Sequence, residues 1–297
     1  MTVQTIASLF ANDIDRRIEE VIKVDQVDEQ IVRSELNEYV VTDSICRHYA
    51  DILERYRETP NKPHEGIGIW VSGFFGSGKS SFAKYLGLAL EDRSLLGESS
   101  AELFGQRTGD PKVQVILKNI AEQIPTHSII FDVSTDRGIR SGNQSITEIM
   151  YRLFLKSLGY ASDLDLAELE ITLEEGGQLP AFQEKYHAIF EKDWDVEKGK
   201  IAIAVQQASR VMHEIDPATY PQVDSWRQAA MKRADITPGS LAERCIELML
   251  RRYPKHNLVF VVDEVGQFVA RDVQKMLDLQ AVVQSLGLVI VTGKHRK

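Results

Sequence analysis

The chain has little of what marks secreted, metal-bound or membrane proteins. It contains only two cysteines, Cys46 and Cys245, in 297 residues, and their spacing matches no zinc motif. We therefore expect both to be reduced thiols. No apolar run approaches the roughly 20 residues that cross a bilayer, and no signal peptide is evident. These absences predict a cytoplasmic protein without membrane contact.

Positively charged residues are also fewer than negatively charged ones. There are 35 lysines and arginines against 44 aspartates and glutamates, which gives a net charge of -9. This balance argues against a chain that clamps nucleic acid along its whole length, although it leaves a local basic patch open. The 43% apolar content is enough to build the core of one large or two modest domains.

One complete G-x-x-x-x-G-K-S pattern stands out against this background. It consists of Gly73, Phe74, Phe75, Gly76, Ser77, Gly78, Lys79 and Ser80. The apolar run 67–71 before it predicts a buried strand, and residues 81–86 after it predict the start of a helix. A glycine-rich turn between strand and helix is the context in which this pattern binds phosphate. A chance glycine turn is the alternative, and the complete pattern disfavours it.

Each position of this loop has a chemical task. The glycines let successive N–H groups point at an anion, and the helix that follows adds its partial positive charge. Lys79 is expected to reach the β- and γ-phosphates, and the Ser80 hydroxyl is expected to bind Mg²⁺. Ser81, at the helix start, completes the predicted set. The pattern predicts ATP and Mg²⁺ as the bound groups.

A second pattern indicates hydrolysis. The apolar run 258–262 ends in the acids Asp263 and Glu264. Alone this is weak, because many strands end in acids at the surface. Downstream of a complete glycine loop, it predicts that Asp263 holds the Mg²⁺ shell and that Glu264 polarises the attacking water. Since neighbours on a strand point in different directions, we expect the two carboxylates to face different groups.

The order of the elements predicts an α/β fold with a parallel sheet, helices on both faces and a large helical insertion. The expected strands span residues 67–71, 128–134, 258–264 and 288–292. The expected domains are an N-terminal helical segment 1–42, a first part of an ATPase core 43–142, a helical insertion 143–254 and the remaining core 255–297.

Asp132 or Ser134, at the second strand's end, could bond Glu264, or that end could be an ordinary exit into a loop.

Four segments of the chain resemble a known family. They are LFANDIDR (9–16), EYVVT (38–42), WVSGFFGSGKS (70–80) and VDEVGQ (262–267). They are similar to the start of the large P-loop ATPases of BREX phage-defence systems, the BrxC/PglY family. The resemblance runs along the whole chain and is strongest in the first 90 residues and around the acidic strand. It implies an AAA-related, initiator-like P-loop NTPase fold.

The resemblance also implies partners. Members of this family assemble with other BREX components on DNA, so we expect a homo-oligomer of the full-length protein whose DNA contact is indirect or made by other regions. Family members are several times longer, which makes this chain similar to an N-terminal portion. A complete module adds a fifth strand, a helical lid and an arginine from a neighbouring subunit, and such an arginine contributes about 10³–10⁵ in rate. None follows Thr292, so we expect weak or absent hydrolysis by this chain alone.

Two further contacts come from the same likeness. AAA-like ATPases use the linker equivalent to Tyr39, Val40 and Val41 to flank the base, although Tyr39 and Val40 could simply be core residues that anchor the N-terminal helix. Thr292 ends the fourth strand, which we expect beside the first, and is a candidate contact for the γ-phosphate or the water; a plain strand end is the alternative. The first strand's outer edge, with Ile67, Ile69 and Val71, should be unpaired unless segment 14–24 or another copy covers it.

Two functional classes remain open at this point. The first is a switch-like or motor-like ATPase whose hydrolysis remodels a DNA-bound defence complex. The second is a nucleotide-gated scaffold in which bound ATP holds an interaction surface and hydrolysis is slow or absent. Only the first needs Glu264 as a catalyst. A small-molecule kinase is disfavoured because the paired acids and the long helical insertion suit water activation better.

Overall fold

The computed structural model describes residues 6–9, 22–60, 68–134, 145–230, 235–270, 272–287 and, as backbone only, 289–294. The strands are β1 (Gly68–Gly73), β2 (Ser94–Leu95), β3 (Glu98–Ser99), β4 (Thr126–Asp132), β5 (Asn257–Asp263) and β6 (Val289–Lys294). The helices are α1 (Glu29–Glu38), α2 (Asp43–Glu58), α3 (Lys79–Glu91), α4 (Ser100–Thr108), α5 (Pro111–Gln123), α6 (Ile146–Ser157), α7 (Leu164–Glu175), α8 (Leu179–Phe190), α9 (Trp194–Glu197), α10 (Ile201–Ile215), α11 (Ser225–Ala230), α12 (Pro238–Arg252), α13 (Val265–Phe268) and α14 (Val273–Leu286), after a 3-10 turn at Ile6–Leu9.

The fold is α/β, and its centre is a sheet of four strands in the order β1–β6–β5–β4. All three pairings in this sheet are parallel. Parallel strands cannot be joined by a tight turn, so each connection carries helices across the sheet. The fourth predicted strand, β6, lies beside the first, as expected. The short strands β2 and β3 form a separate antiparallel pair that the sequence pattern did not predict.

Alternate side chains of β5 enter two different cores. Phe260 and Val262 pack into a cluster with the helices that follow β4, whereas Val259 and Val261 pack with α3 and α5. This is the two-residue period of a strand whose two faces are both covered. Helices on both faces of the sheet are therefore confirmed.

The long helical segment packs directly on one face of the sheet. Seven helices, α6–α12, lie in the described residues between β4 and β5. Their buried side chains, among them Phe154, Phe182 and Trp194, belong to the same cluster as Phe260. The segment therefore shares its core with the sheet.

Local signals place most of the helix ends. The Thr42 hydroxyl accepts from the N–H of Ile45, and the Ser145 hydroxyl accepts from the N–H of Glu148. Such caps satisfy N–H groups that a helix leaves unpaired at its start. The strand bounds shift by about two residues, since β4 begins at Thr126 opposite Asn257 and ends at Asp132. Pairing with the neighbouring strand, which the sequence pattern does not contain, sets those limits.

Strand β1 is an end strand of the described sheet. Its partner is β6, and within the described ranges no strand pairs with its other edge. Ile69 and Val71 lie on β1 as predicted, whereas Ile67 is outside the described residues. Most of segment 14–24 is also outside them, so the prediction that it covers this edge stays a prediction.

Both cysteines are free thiols, as expected. Cys245 is buried in α12, and burial raises the pKa of its thiol. No helix in the part of the chain that the structure describes is long and apolar enough to cross a bilayer.

A buried ion pair ties α1 to α3. The Lys84 ammonium donates to a carboxylate oxygen of Glu35 at 2.5 Å and to the carbonyl of Lys23 at 2.7 Å. The Lys84 side chain is 1% exposed and that of Glu35 is 7% exposed. Burial lowers the pKa of Lys84, and the Glu35 carboxylate opposes that shift. The ammonium has lost its water, so the carboxylate is what makes its burial tolerable.

We expect Glu35→Ala to lower the free energy of unfolding by about 3–5 kcal/mol, because it leaves a buried charge without its partner. Urea unfolding at neutral pH measures this change. The double variant Glu35→Leu/Lys84→Met removes both charges at similar volume and should recover most of the loss. A single variant no less stable than the double one would contradict this account of the junction.

Candidate functional site

The glycine loop, residues 73–80, joins β1 to α3 as predicted. β1 ends at Gly73, and α3 begins at Lys79. Gly76 and Gly78 have φ values of 76° and 82°. Residues with a side chain rarely adopt this left-handed region, so the backbone path itself favours glycine at both positions. The N–H of Ser77 donates to the carbonyl of Phe74 at 3.2 Å and closes the turn.

The loop folds back closely on itself but leaves open space beside its two left-handed glycines. A Cβ built on Gly73 would lie 2.7 Å from the hydroxyl oxygen of Ser77, so a side chain there would require the Ser77 hydroxyl to rotate away. A Cβ on Gly76 or Gly78 would meet no heavy atom within 4 Å. A ligand therefore has room against the backbone at these two residues.

The loop also presents donors that suit an anion. Within the described residues, the N–H groups of Gly76, Gly78, Lys79 and Ser80 donate to no protein acceptor. The last two belong to the start of the 13-residue helix α3, whose N-terminus carries a partial positive charge. The Lys79 ammonium donates to the carbonyl of Phe74 at 2.9 Å, which folds the side chain back along the loop. This donor set fits a phosphate.

The sheet register places the acidic strand end beside the loop. Val262 pairs with Val291, and Val291 pairs with Trp70. The next residue along each strand is therefore Asp263 on β5, Thr292 on β6 and Val71 on β1. Since neighbouring strands are about 4.8 Å apart, β5 and β1 are about 10 Å apart across β6. Asp263 and the glycine loop thus lie at the same edge of the sheet, separated by one strand.

Asp263 fits the role of a magnesium ligand. It is the last residue of β5 and is buried, and its Oδ1 accepts from the N–H of Glu264 at 2.8 Å. Carboxylate and hydroxyl oxygens, as on Asp263 and Ser80, are ligands that Mg²⁺ prefers. The described residues contain no group of three or more His, Cys, Asp or Glu placed to hold a metal. Mg²⁺ commonly takes one or two carboxylates together with phosphate oxygens and water.

The structure corrects the expected position of Glu264. The strand stops at Asp263, and Glu264 adopts φ 57° as the residue that precedes the short helix α13. Its carbonyl accepts from the N–H groups of Gln267 and Phe268. The chain turns here because Val265 and Phe268 enter the core. A left-handed turn, rather than the alternation of a strand, therefore separates the two carboxylates.

Gln267 is a residue to which sequence reasoning gave no role. Its side-chain amide donates to Oε2 of Glu264 at 2.6 Å. The spacing of three residues at the start of a helical turn brings the two side chains together. The signal would have been visible in the sequence had the turn after Asp263 been predicted.

The residues of the linker that follows α1 differ in burial, which bears on its two interpretations, a contact for the base or an anchor in the core. Tyr39 is an anchor, because its ring lies 4.6 Å from that of Tyr85 and its hydroxyl lies 3.0 Å from that of Tyr49. Val40 is 72% exposed, and Val41 is partly buried against the core. The linker therefore has an anchored end and an exposed middle, and its contact with a base stays a prediction.

Ser81 is buried in the first turn of α3.

The structure describes the side chains of Phe74 and Phe75 but only the backbone of Thr292. Phe74 and Phe75 are 71% and 87% exposed at the turn of the loop. Thr292 lies on β6 opposite Val71, and only its backbone is described. Its contact with a γ-phosphate stays a prediction.

Comparison with known proteins adds no assignment. No family model matches the chain, and no solved structure matches it. A function must therefore be argued from the residues and their geometry.

We expect Gly78→Ala to lower the free energy of unfolding by about 1–2 kcal/mol, since alanine is strained in the left-handed region. Gly239→Ala is the matched control, because Gly239 lies in the first turn of α12 in open space without a positive φ. Alanine should be neutral or slightly stabilising there. Urea unfolding of both variants measures the difference, and equal effects would contradict the loop conformation.

Proposed function

We propose that this chain binds ATP with Mg²⁺ and belongs to an ATPase, with hydrolysis weak or absent in this chain alone. The glycine loop carries the proposal, since Lys79 and the loop N–H groups that bond no acceptor among the described residues lie at the same sheet edge as the buried carboxylate of Asp263. Neither the glycine loop nor the acidic strand end is sufficient alone, because glycine turns and acidic strand ends are both common. Their meeting at one edge supports a P-loop NTPase fold, as does the position of β6 between β1 and β5.

The loop residues would bind and orient the triphosphate. The N–H groups of Gly76, Gly78, Lys79 and Ser80 would donate to phosphate oxygens. The Lys79 ammonium would exchange the carbonyl of Phe74 for β- and γ-phosphate oxygens. This exchange costs little, because the lysine trades one acceptor for another that carries charge.

The Ser80 hydroxyl and the Asp263 carboxylate would hold Mg²⁺ between them. Bound Mg²⁺ would neutralise negative charge on the β- and γ-phosphates. The N–H of Glu264 already bonds Oδ1 of Asp263, which fixes the orientation of that carboxylate before any ligand arrives. Such preorganisation reduces the entropy lost on binding.

Glu264 would act on the attacking water. The water oxygen bonds to the γ-phosphorus, the bond from that phosphorus to the β–γ bridging oxygen breaks, and the carboxylate takes a water proton. ADP and inorganic phosphate result. The amide of Gln267 fixes one carboxylate oxygen of Glu264, so it would orient this base.

The same contact favours a second candidate, a nucleotide-gated scaffold. In the present arrangement the Glu264 carboxylate is already hydrogen-bonded to Gln267 at 2.6 Å. This hydrogen bond occupies one lone pair of Oε2, which leaves fewer positions on the carboxylate for a water. In the scaffold, ATP would hold the loop and α3 in one conformation while hydrolysis stays slow.

The biological setting that we propose is a cytoplasmic BREX-type anti-phage defence complex. The four segments that resemble the BrxC/PglY family support it. The partners would be other BREX components and further copies of the full-length protein. The net charge of -9 fits a DNA contact that is indirect or made by other regions, since phosphate contacts require clustered lysine and arginine.

We expect Lys79→Ala to abolish stabilisation by ATP. At about 100 times its dissociation constant, ATP-Mg should stabilise the wild type by roughly 2.7 kcal/mol. Lys118→Ala, an exposed lysine of α5, removes the same charge and should keep the full effect. Melting curves with and without ATP-Mg measure both variants. An undiminished shift in Lys79→Ala would overturn the assignment of the glycine loop.

We expect Glu264→Gln and Asp263→Asn to fail in different ways. Glu264→Gln keeps the shape of the side chain but cannot take a proton, so ATP binding should persist while turnover falls by about 10²-fold or more.

Asp263→Asn removes a charged oxygen ligand, so it should weaken ATP binding in the presence of Mg²⁺ more than ATP binding in the presence of EDTA. Calorimetry and single-turnover hydrolysis, on this chain and on a longer one, separate the two. Unchanged turnover of Glu264→Gln in the longer chain would favour the scaffold.

A further inference from the structure

The hairpin of β2 and β3 presents an exposed leucine at its tip. β2 ends at Leu95 and β3 begins at Glu98, so Leu96 and Gly97 form the two-residue turn between them. Their φ values are 53° and 85°. Asparagine or glycine usually begins a turn of this kind, and a leucine in the left-handed region is strained. The Leu96 side chain is 53% exposed and gains no place in the core, so its strain points to a role at the surface.

Helix α1 and the core hold this tip in place. Oε2 of Glu29 accepts from the N–H of Leu96 at 2.8 Å, and the Arg33 guanidinium bonds the carboxylate of Glu98. Leu95, next to the tip, is buried in the core that α1 shares with α3. The leucine is thus fixed in its exposed position before any contact forms, which reduces the entropy that binding costs.

An apolar cavity of about 410 Å³, the α12 cavity, lies between α12, the end of α14 and the start of β5. The buried side chains of Cys245, Met249 and Phe260 line it. Ile246 and Leu250, one turn apart on α12, also line it and are each 63% exposed. Its volume is within the range of ligand sites, and its lining suits an apolar side chain.

The charges beside the tip and the α12 cavity are opposite in sign. Near the tip, Asp92 and Glu102 have no basic partner among the described residues. At the cavity, Tyr253 and His256 line one end, and Lys255 lies between them in the chain. Lys255 is exposed and has no acidic partner in the described part of the chain. Opposite charges favour the encounter of tip and cavity and disfavour a contact between two tips.

We infer that Leu96 of one copy of this chain enters the α12 cavity of another copy, so that the chains associate head to tail. Tip and cavity are different surfaces, so after a first contact each copy still has one of them available. Contacts of this kind build a ring where the rotation closes and an open chain where it does not. The inference goes beyond the proposed function, because the contact needs no nucleotide.

The first test replaces the tip. Leu96→Asn should raise the free energy of unfolding, because asparagine tolerates the left-handed region, and should weaken self-association by about tenfold or more. A leucine that served only the fold would give a loss of stability instead. Sedimentation at several concentrations without nucleotide measures association, and urea unfolding of dilute protein measures stability.

A matched pair of variants tests the cavity. Leu250→Gln should weaken association to a similar degree, because it places an amide at the mouth of the α12 cavity. Val115→Gln, which replaces an exposed valine of α5, should leave association unchanged. Melting curves establish that both variants are folded.

Mixing the variants tests the head-to-tail arrangement. Leu96→Asn keeps the cavity and Leu250→Gln keeps the tip, so an equimolar mixture retains one intact contact per pair. We expect the mixture to form pairs and nothing larger, at a concentration where each variant alone is monomeric.

A disulfide tests what the tip reaches. Cys245 lines the α12 cavity and is buried, so a residue must enter the cavity to reach it. Leu96→Cys, oxidised with diamide, should give covalently linked copies on a non-reducing gel. Adding Cys245→Ser should abolish the link, whereas adding Cys46→Ser should preserve it.

Three outcomes would overturn the inference. They are a wild type that is monomeric at every concentration, association that persists in both Leu96→Asn and Leu250→Gln, and a link that survives Cys245→Ser. Persistent association would point to another surface, such as the outer edge of β1, and a surviving link would point to a contact between two tips. ATP-Mg binding is measured separately, so this inference and the proposed function can fail independently.

Discussion

The candidate site depends on the parallel register of β1, β6 and β5. Parallel strands end at the same edge of a sheet, so the glycine loop after β1 and Asp263 at the end of β5 must meet there. The row that contains Val71, Thr292 and Asp263 sets a separation of about two strand spacings. A slip of one residue would turn the Asp263 side chain to the other face of the sheet.

Helix α3 is the second element on which the site depends. It begins with Lys79 and Ser80, and its later turns hold two anchors of the N-terminal region. Lys84 bonds Glu35 of α1, and Phe82 bonds Tyr49 of α2. The helix that carries the phosphate donors is therefore bonded to both α1 and α2. Such support from packed elements keeps a binding site near its productive geometry.

Sequence reasoning succeeded where the physics is local. Gly76 and Gly78 suit their own left-handed φ angles, and the pattern alone predicted the loop that joins β1 to α3. It failed at Glu264, because the continuing hydrophobic pattern hides a left-handed turn that core packing of Val265 and Phe268 imposes. It also missed the bond between Tyr49 and Phe82, since the two residues are 33 positions apart along the chain.

The sequence by itself determined three features. They are the strand, loop and helix around Lys79, the acids Asp263 and Glu264 after the apolar run 258–262, and the α/β class. Each of these depends on neighbours within a few residues, where backbone preference and hydrophobic period act directly. Only the tertiary structure decided that the long helical segment shares the sheet's core and that Phe82 of α3 bonds Tyr49 of α2. Those outcomes depend on which distant surfaces pack together, and no local pattern encodes that choice.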